Sequence, residues 1–328
     1  MSATDRALGS LYGLAIGDAL GMPTQMMSRE VIAQQFAPFN RFFPAAADHP
    51  LAAGMPAGSI TDDTEQALLL AQLLLDGGGR VDEQELARRL VAWEQQMRQR
   101  GSLDLLGPST KRAVEAVLAG ESVEQSGRYG VTNGAAMRIA PVGIMMSATS
   151  LPSLVDRVVE ASRVSHNTGV AIAAASAVAA AVSAGIDGAS VSEAIDLGLR
   201  AAELGANRGH WVAAASVPAR IRLALDLANS SGSASQAIYE LIGTSLASQE
   251  SIPAAFGILA LHRDEPWQAC LTAASLGGDS DTIAAIVGAI TGAVHGMAGW
   301  PAEAVSLVKT VNSMELDGFA ASLLALRQ

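Results

Sequence analysis

The spacing of apolar residues constrains the fold of this chain most. Apolar side chains recur every three or four residues along nearly the whole sequence, and the β-branched alternation that marks strands is almost absent. Half of the residues are hydrophobic but only 4% are aromatic, and Ala and Gly are abundant. Small side chains favour helices that pack closely. The sequence therefore predicts an all-α fold, built as a single-domain helical bundle over residues 1–328.

The periodicity also predicts where the helices lie. They are expected at residues 8–20, 61–76, 82–98, 109–118, 135–146, 151–163, 168–184, 191–204, 211–228, 235–246, 252–261 and 281–295, with a last helix from about residue 302. Pro23 precedes residues 25–58 and four more prolines lie within them, which predicts a long loop with short helical pieces. The apolar stretches 170–186 and 283–299 are rich in Ala and Gly, so we expect buried core helices and no membrane span.

Composition excludes several classes of protein. The formal net charge is −11, so a surface for non-specific nucleic-acid binding is not expected. Cys270 is the single cysteine, which excludes an internal disulfide and a cysteine-based zinc site, and its apolar surroundings predict a core position. The N-terminal apolar run at residues 11–16 has no basic flank and is unlike a signal peptide, so a cytoplasmic location is expected.

Two acidic clusters lie more than two hundred residues apart, each just before a long apolar helix. They read TDDT at residues 61–64 and GGDSDT at residues 277–282. Acidic residues at a helix start have an ordinary capping role. Carboxylates and hydroxyls are also the ligands that Mg²⁺ and Mn²⁺ prefer. If the fold joins the clusters, their four carboxylates would repel one another unless cations were bound, which indicates a two-metal hydrolase.

Two further segments carry polar residues in unusual places. Asp18 interrupts an apolar helix, where a charge is costly without a partner. Gly130, Asn133 and Gly134 precede a predicted helix, where backbone N–H groups could bind a phosphate or ribose oxygen, although a plain Asn-Gly turn is the alternative.

Taken together and in order, these segments resemble the ADP-ribosylglycohydrolase family. The likeness rests on GDALG at residues 17–21, TDDT at 61–64, NGAAMRIAP at 133–141 and GGDSDTIAAI at 277–286. The resemblance implies an orthogonal all-α bundle with a binuclear Mg²⁺ or Mn²⁺ centre. It also implies cleavage of an N- or O-glycosidic bond to ribose, in which the metals and their carboxylates activate water.

Site residues follow from the resemblance by motif. The implied metal ligands are Thr61, Asp62, Asp63, Asp279, Asp281 and Thr282. The implied catalytic carboxylates are Asp62, Asp63, Asp281 and Asp104, and for Asp104 a loop or capping role is the alternative. The implied substrate contacts are Asp18, Gln25, Gly130, Asn133, Gly134 and His166, and for His166 a structural role is the alternative.

One position departs from the family pattern. Family members that remove ADP-ribose commonly have a Glu four residues after the glycine that is Gly21 here, and this chain has Gln25. An amide can form hydrogen bonds to ribose or water but cannot act as a carboxylate base. The loop that follows holds four of the six phenylalanines, which could form either a lid over a nucleobase or a plug that fastens the loop.

Three functions remain open on this reading. The first is a metal-dependent hydrolase that removes ADP-ribose from a conjugate, either a small molecule or an ADP-ribosylated macromolecule. The second is a hydrolase of small N-ribosides with the same metal centre. The third is a protein that binds a ribosyl ligand without catalysis.

Overall fold

The computed structural model describes residues 1–103, 106–230 and 232–327. Helices make up 66% of the structure, and the described residues contain no strand. The α-helices are α1 (Ala3–Gly21), α2 (Arg29–Phe36), α3 (Asp62–Asp76), α4 (Glu83–Gln99), α5 (Pro108–Leu118), α6 (Val123–Ser126), α7 (Gly134–Met137), α8 (Ala140–Met145), α9 (Leu151–His166), α10 (Gly169–Ile186), α11 (Val191–Gly205), α12 (Val217–Ala228), α13 (Ala234–Ala237), α14 (Ser248–Leu261), α15 (Pro266–Ala274), α16 (Ser280–His295), α17 (Ala302–Val311) and α18 (Asp317–Ala325). The all-α prediction is confirmed.

Three predicted helices are wrong in part. The helix expected at 211–228 begins only at Val217, after Ser216 accepts a hydrogen bond from the third residue of the helix, and Trp211 lies in the preceding loop with 86% of its surface exposed. The helix expected at 235–246 is a short α13 followed by a π-helix, Ile238–Ile242. The helix expected at 135–146 is broken between α7 and α8. Helix α15 has a proline in its first turn and was not predicted as a separate helix.

The two long apolar stretches are core helices. Among the described residues, α10 is the helix that is long and apolar enough to cross a membrane by length and composition, with a mean hydropathy of 2.0. It is also 94% buried by other parts of the chain. Cys270 packs in the same core, and burial raises the pKa of its thiol well above the ordinary range. The prediction of a core cysteine is confirmed.

Helices α1 and α16 lie in backbone contact because both carry glycines at four-residue spacing. A Cβ atom added to Gly17 would come within 2.0 Å of the carbonyl oxygen of Ala284, and one added to Gly292 within 1.9 Å of the carbonyl oxygen of Gly9. Side chains at these positions would hold the helices apart. The close packing continues to the end of α1, where a Cβ on Gly21 would lie 2.3 Å from the Cα of Asp281. The α1–α16 pair therefore fixes the position of the second acidic cluster.

The phenylalanines of the long loop pack on one another and on the bundle. Phe36, Phe39 and Phe43 have ring centroids 5.3–6.3 Å apart, and Phe42 lies 5.8 Å from Trp267 of α15. This arrangement is the plug of the two alternatives, because each ring already has an aromatic partner within the chain.

Candidate active site

The fold brings the two acidic clusters to one cavity of about 320 Å³. Four carboxylates line it: Asp62 and Asp63 from the first turn of α3, and Asp279 and Asp281 from the start of α16. The hydroxyl-bearing Thr282 lines the same wall. More than two hundred residues separate the clusters in sequence, so the packing of α3 and α16 against α1 creates the site.

Asp18 holds the first cluster from behind. Its buried carboxylate accepts hydrogen bonds from the backbone nitrogen of Thr61 at 3.0 Å and from the Thr61 hydroxyl at 2.7 Å. It also accepts from the backbone nitrogen of Thr64 at 3.2 Å and from the Thr64 hydroxyl at 2.5 Å. These bonds satisfy N–H groups at the start of α3 that have no partner within the helix. Asp18 does not line the cavity, so it positions the TDDT cluster from the interior of α1.

The second cluster is held by the turn that precedes α16. Gly277 and Gly278 have φ values of +95° and +74°, which residues with a Cβ atom rarely adopt. The backbone of this turn pairs with an earlier segment, because the nitrogen of Met26 donates to the oxygen of Gly278 at 2.7 Å, and the nitrogen of Gly278 to the oxygen of Met27 at 2.9 Å. The same pairing places Gln25 and Met26 beside the carboxylates, and both line the cavity.

The third motif closes the cavity from another side. The side-chain nitrogen of Asn133 donates to Oδ2 of Asp279 at 2.5 Å and to the Ser251 hydroxyl at 3.0 Å. Gly134 follows at the start of α7, where a Cβ would come within 3.0 Å of the His166 ring. Both Asn133 and Gly134 line the cavity, so the Asn-Gly pair is part of the wall.

Burial and mutual repulsion dominate the electrostatics of the cavity. Burial raises the pKa of Asp18 and of Asp279 to about 6, against hydrogen bonds that lower each of them. Burial also raises the pKa of Asp63 well above its usual range, and the charges of Asp62, Asp18 and Asp279 raise it further. No Lys or Arg of the described residues lines the cavity. The carboxylates therefore favour protons or cations as their partners.

The residues fit a hard divalent cation by donor chemistry. The candidate ligands offer carboxylate and hydroxyl oxygens only, and Oδ1 of Asp63 is buried without a hydrogen-bond partner among the described residues. Oδ2 of Asp63 lies 3.2 Å from the Thr282 hydroxyl, which donates to it across the two clusters. In the described part of the chain, no three Asp, Glu, His or Cys side chains already surround one point as a finished metal site.

The structure separates the site residues predicted from sequence into three groups. Eight line the cavity: Gln25, Asp62, Asp63, Asn133, Gly134, Asp279, Asp281 and Thr282. Four lie outside its lining: Asp18, Thr61, Gly130 and His166. Asp104 lies outside the described residues.

Gly130 and His166 support the wall from behind. Gly130 packs so closely that a Cβ would lie 2.1 Å from the carbonyl oxygen of Ser165, and its own carbonyl accepts from the Thr168 hydroxyl at 2.6 Å. His166 is fully buried and lies 3.0 Å from the hydroxyl of Thr132, which does line the cavity. Burial, and then the charge of Arg138, hold the pKa of His166 well below its usual range, so the ring is neutral.

Sequence reasoning missed Met26 and Thr132. Met26 is exposed at the cavity and has φ of +63°, a left-handed backbone that is uncommon for a residue with a side chain. The dihedral angle leaves no trace in the sequence. Thr132 directly precedes the Asn133-Gly134 pair, and this adjacency was the signal that could have identified it.

A second cavity of about 560 Å³ adjoins the first. Leu51, Asp62 and Leu103 line both, so Asp62 stands at the junction. Thr61 and Glu65 of the same helix turn line the second cavity together with Arg100. The carboxylate cavity thus adjoins a larger space, in which Arg100 lies 3.6 Å from the carboxylate of Glu65.

A sequence profile described as ADP-ribosylglycohydrolase matches residues 1–328. The chain belongs to the ADP-ribosylglycohydrolase family. This assignment makes it a hydrolase of the glycosidase type. Among its relatives, the uncharacterized protein YegU of Escherichia coli (strain K12) is 34% identical over 99% of this chain and 98% of its own length.

Two more relatives support the family and the fold. ADP-ribosylarginine hydrolase Tri1 of Pseudomonas putida (strain GB-1) is 28% identical, and the similarity covers 93% of this chain and 75% of Tri1. A solved structure described as an ADP-ribosylglycohydrolase-related protein complex superimposes with a TM-score of 0.72 at 25% identity, over 99% of both chains. The predictions of the family and of its fold are confirmed.

Proposed function

We propose that this member of the ADP-ribosylglycohydrolase family hydrolyses the glycosidic bond that joins ADP-ribose to a conjugated group, at the carboxylate cavity and with two divalent cations. The observation that carries the proposal is the convergence of Asp62, Asp63, Asp279 and Asp281 on one cavity. The family is named for hydrolysis of ADP-ribosyl bonds, and one relative is named for ADP-ribosylarginine. The adjoining cavity supports a substrate larger than a riboside, because it offers further space beside Asp62. Arg100 in its lining lies 3.6 Å from the Glu65 carboxylate, and a substrate phosphate would have to compete with that ion pair.

The cations would be Mg²⁺ or Mn²⁺, held by Thr61, Asp62, Asp63, Asp279, Asp281 and Thr282. Bound there, they would supply Lewis-acid stabilisation of negative charge and a counter-charge for the carboxylates.

The side chains of the cavity would divide the remaining work. Asp62, Asp63 and Asp281 offer oxygens that can accept a proton from attacking water. Asn133 donates to Asp279 and so fixes the orientation of that carboxylate. Gln25 can donate from its amide to a substrate oxygen, because its Nε2 has no other partner among the described residues. A role for Asp104 near the ribose stays a prediction.

A second candidate is a hydrolase of small N-ribosides. It is favoured by one observation: the described residues that line the carboxylate cavity include no Lys or Arg to bind a diphosphate. In this reading the second cavity would stay unused.

Product analysis separates the candidates. The protein is incubated with ADP-ribosyl conjugates and simple N-ribosides, with Mg²⁺ or Mn²⁺ and then with a chelator, and products are identified by mass spectrometry. Release of ADP-ribose that stops with the chelator supports the proposal, and release of free ribose supports the second candidate. Absence of either product, with metal present, would indicate a binding protein without catalysis.

A variant tests the metal assignment in the same experiment. Asp281→Ala is expected to keep the folded state and to lose both Mn²⁺ binding and product formation, because a carboxylate is removed from the cavity wall. Calorimetric titration with Mn²⁺ checks the first loss directly. An unchanged Mn²⁺ affinity in Asp281→Ala would overturn the assignment of the cluster as the metal site.

A further inference from the structure

A fully buried arginine stands behind the cavity and reaches two of its walls. The guanidinium of Arg138 donates to Oε1 of Gln66 at 3.2 Å and to the hydroxyl of Ser165 at 2.5 Å. Both partners are neutral and fully buried. Burial lowers the pKa of Arg138 only to about 10, and the charge of Asp62 opposes this shift, so the side chain is a cation at neutral pH.

The first chain of hydrogen bonds from Arg138 runs through Gln66 to Asp62 of the acidic cluster. Because arginine can only donate, Gln66 must present its carbonyl oxygen to Arg138 and its amide nitrogen to the other side. That nitrogen donates to Oδ2 of Asp62 at 2.8 Å. Gln66 lies one helical turn after Asp62 on α3, so the side chains share one face of the helix. Arg138 thus orients the Gln66 amide so that its nitrogen donates to Asp62, which leaves this Asp62 oxygen as a hydrogen-bond acceptor.

The second chain of hydrogen bonds from Arg138 runs through Ser165 and His166 to Thr132, which also lines the cavity. The Ser165 oxygen accepts from Arg138 and lies 2.8 Å from Nδ1 of His166. If Nδ1 carried the proton, the buried Ser165 hydrogen would lack an acceptor among the described residues, which costs free energy. Ser165 therefore donates to Nδ1, and the neutral His166 carries its proton on Nε2.

The direction of the last hydrogen bond follows from this tautomer. Nε2 of His166 lies 3.0 Å from the hydroxyl of Thr132, and with its proton there it donates to Thr132. The Thr132 hydrogen is then directed away from His166. Since Thr132 lines the cavity, that hydrogen is available to an acceptor atom of a ligand.

We propose that Arg138 is a positioning residue that sets the hydrogen-bond direction of both cavity walls: Asp62 as an acceptor through Gln66, and Thr132 as a donor through Ser165 and His166. The ligand contact assigned here is Thr132 with an acceptor oxygen of the substrate. Only that contact rests on the proposed function, whereas the proton positions are a property of the ligand-free protein.

Nitrogen-15 NMR of labelled histidine tests the proton positions without any substrate. A His166→Asn variant assigns the His166 signals among the five histidines. We expect the wild-type ring with its proton on Nε2, and a loss of this preference in Ser165→Ala. Ser162→Ala is the matched control, because Ser162 is a buried serine of the same helix whose hydroxyl has no partner among the described residues. It should leave the His166 signals unchanged.

Measurements of KM and of Mn²⁺ affinity test the effect of these hydrogen bonds on Thr132 and Asp62. Thr132→Val and Ser165→Ala should each raise KM about tenfold with a smaller change in kcat, as expected for one lost hydrogen bond, and Thr132→Ser should restore the KM. Gln66→Leu should lower Mn²⁺ affinity about tenfold while the His166 tautomer persists.

Two results overturn the proposal. One is a wild-type His166 with its proton on Nδ1. The other is a Ser165→Ala variant whose His166 tautomer and KM equal those of the wild type. If the protein releases no product from any riboside, the proposed function fails, and the NMR result alone still decides the positioning role of Arg138. Arg138→Lys keeps a donor-only cation and should retain more of the wild-type tautomer than Arg138→Met.

Discussion

The side-chain nitrogen of Asn133 lies 2.5 Å from Oδ2 of Asp279, a residue 146 positions further along the chain. This hydrogen bond joins the Asn-Gly segment before α7 to the acidic turn before α16. It is buried on both sides, so each partner depends on the other for its hydrogen bond. The contact links two of the four motifs that define the family likeness.

Removal of the Asn133 amide should therefore destabilise the protein. Asn133→Ala leaves the buried Asp279 carboxylate without one donor, and we expect the free energy of unfolding to fall by about 1–3 kcal/mol. Urea denaturation measures the change. Asn207→Ala is the matched control, because Asn207 is exposed and its side chain donates to the Glu203 carbonyl at the end of α11. A loss equal to that of the control would show that the Asn133–Asp279 bond carries no stability.

The metal-free protein should lose stability as pH rises through the range of its buried carboxylates. Burial raises the pKa of Asp279 to about 6 from 3.8, so the folded state holds this proton more tightly than the unfolded state. The stabilisation is complete below pH 3.8 and is lost as pH passes about 6. Other carboxylates titrate too, so the quantity to follow is the unfolding free energy of the wild type minus that of Asp279→Asn.

That difference should fall by as much as about 3 kcal/mol between pH 4 and pH 7 in the presence of a chelator. Urea denaturation at each pH measures it. A difference that stays flat or rises across this range contradicts a raised pKa at Asp279. Added Mn²⁺ should reverse the trend, because metal binding requires the deprotonated carboxylates and strengthens with pH.

The sequence predicted the acidic wall of the cavity because the motifs that form this wall are short stretches of consecutive residues. TDDT and GGDSDT each stand at a helix start, where polar residues and glycines mark the boundary, and the structure places α3 and α16 within a residue of the expected starts. The abundance of Ala and Gly also predicted closely packed helices, and α1 with α16 is such a pair. Which helices pair in this way depends on the tertiary fold.

The roles of the residues behind the cavity wall also depend on the tertiary fold, so the sequence could not predict them. Asp18 was expected at the substrate, and in the structure its carboxylate accepts hydrogen bonds from Thr61 and Thr64, which lie 43 and 46 positions away. His166 was expected at the substrate or in the core, and Thr132 separates it from the cavity. The helix expected to begin at Trp211 starts later, because periodicity alone cannot distinguish an exposed loop from a helix turn.

The backbone contact of α1 with α16 should tolerate no added side chain at its centre. Gly17→Ala would place a Cβ 2.0 Å from the Ala284 carbonyl oxygen, and the helices would have to move apart. We expect a loss of about 3 kcal/mol or more in unfolding free energy, at the upper end of overpacking costs. Mn²⁺ affinity should fall as well, because the same pair of helices positions Asp281.

Gly318→Ala is the matched control for Gly17→Ala. A Cβ at Gly318 of α18 meets no atom within 4 Å, and alanine is the better helix former. Its unfolding free energy should rise by about 0.5–1 kcal/mol. Thermal or urea unfolding of both variants gives the comparison. Equal stability of Gly17→Ala and the wild type would mean that α1 and α16 are further apart than the structure places them.

Substitution of Gln25 should change both metal binding and the choice of substrate. Gln25 is buried at the cavity with its side-chain nitrogen unpartnered among the described residues, and its backbone carbonyl accepts a hydrogen bond from the ring of His49. Gln25→Glu adds a carboxylate to a wall that already holds four. The added repulsion should lower the unfolding free energy of the metal-free protein by about 1–3 kcal/mol and should increase Mn²⁺ affinity.

The substrate effect should follow from the loss of the amide donor. We expect Gln25→Glu to change the ratio of kcat/KM for an ADP-ribosyl conjugate to that for a simple N-riboside, because a glutamate can accept but no longer donate to a substrate oxygen. Gln25→Leu removes the donor without adding charge, so an equal change in both variants assigns the effect to the lost hydrogen bond. A change in Gln25→Glu alone assigns it to the new charge. Identical ratios in the wild type and both variants would exclude Gln25 from substrate selection.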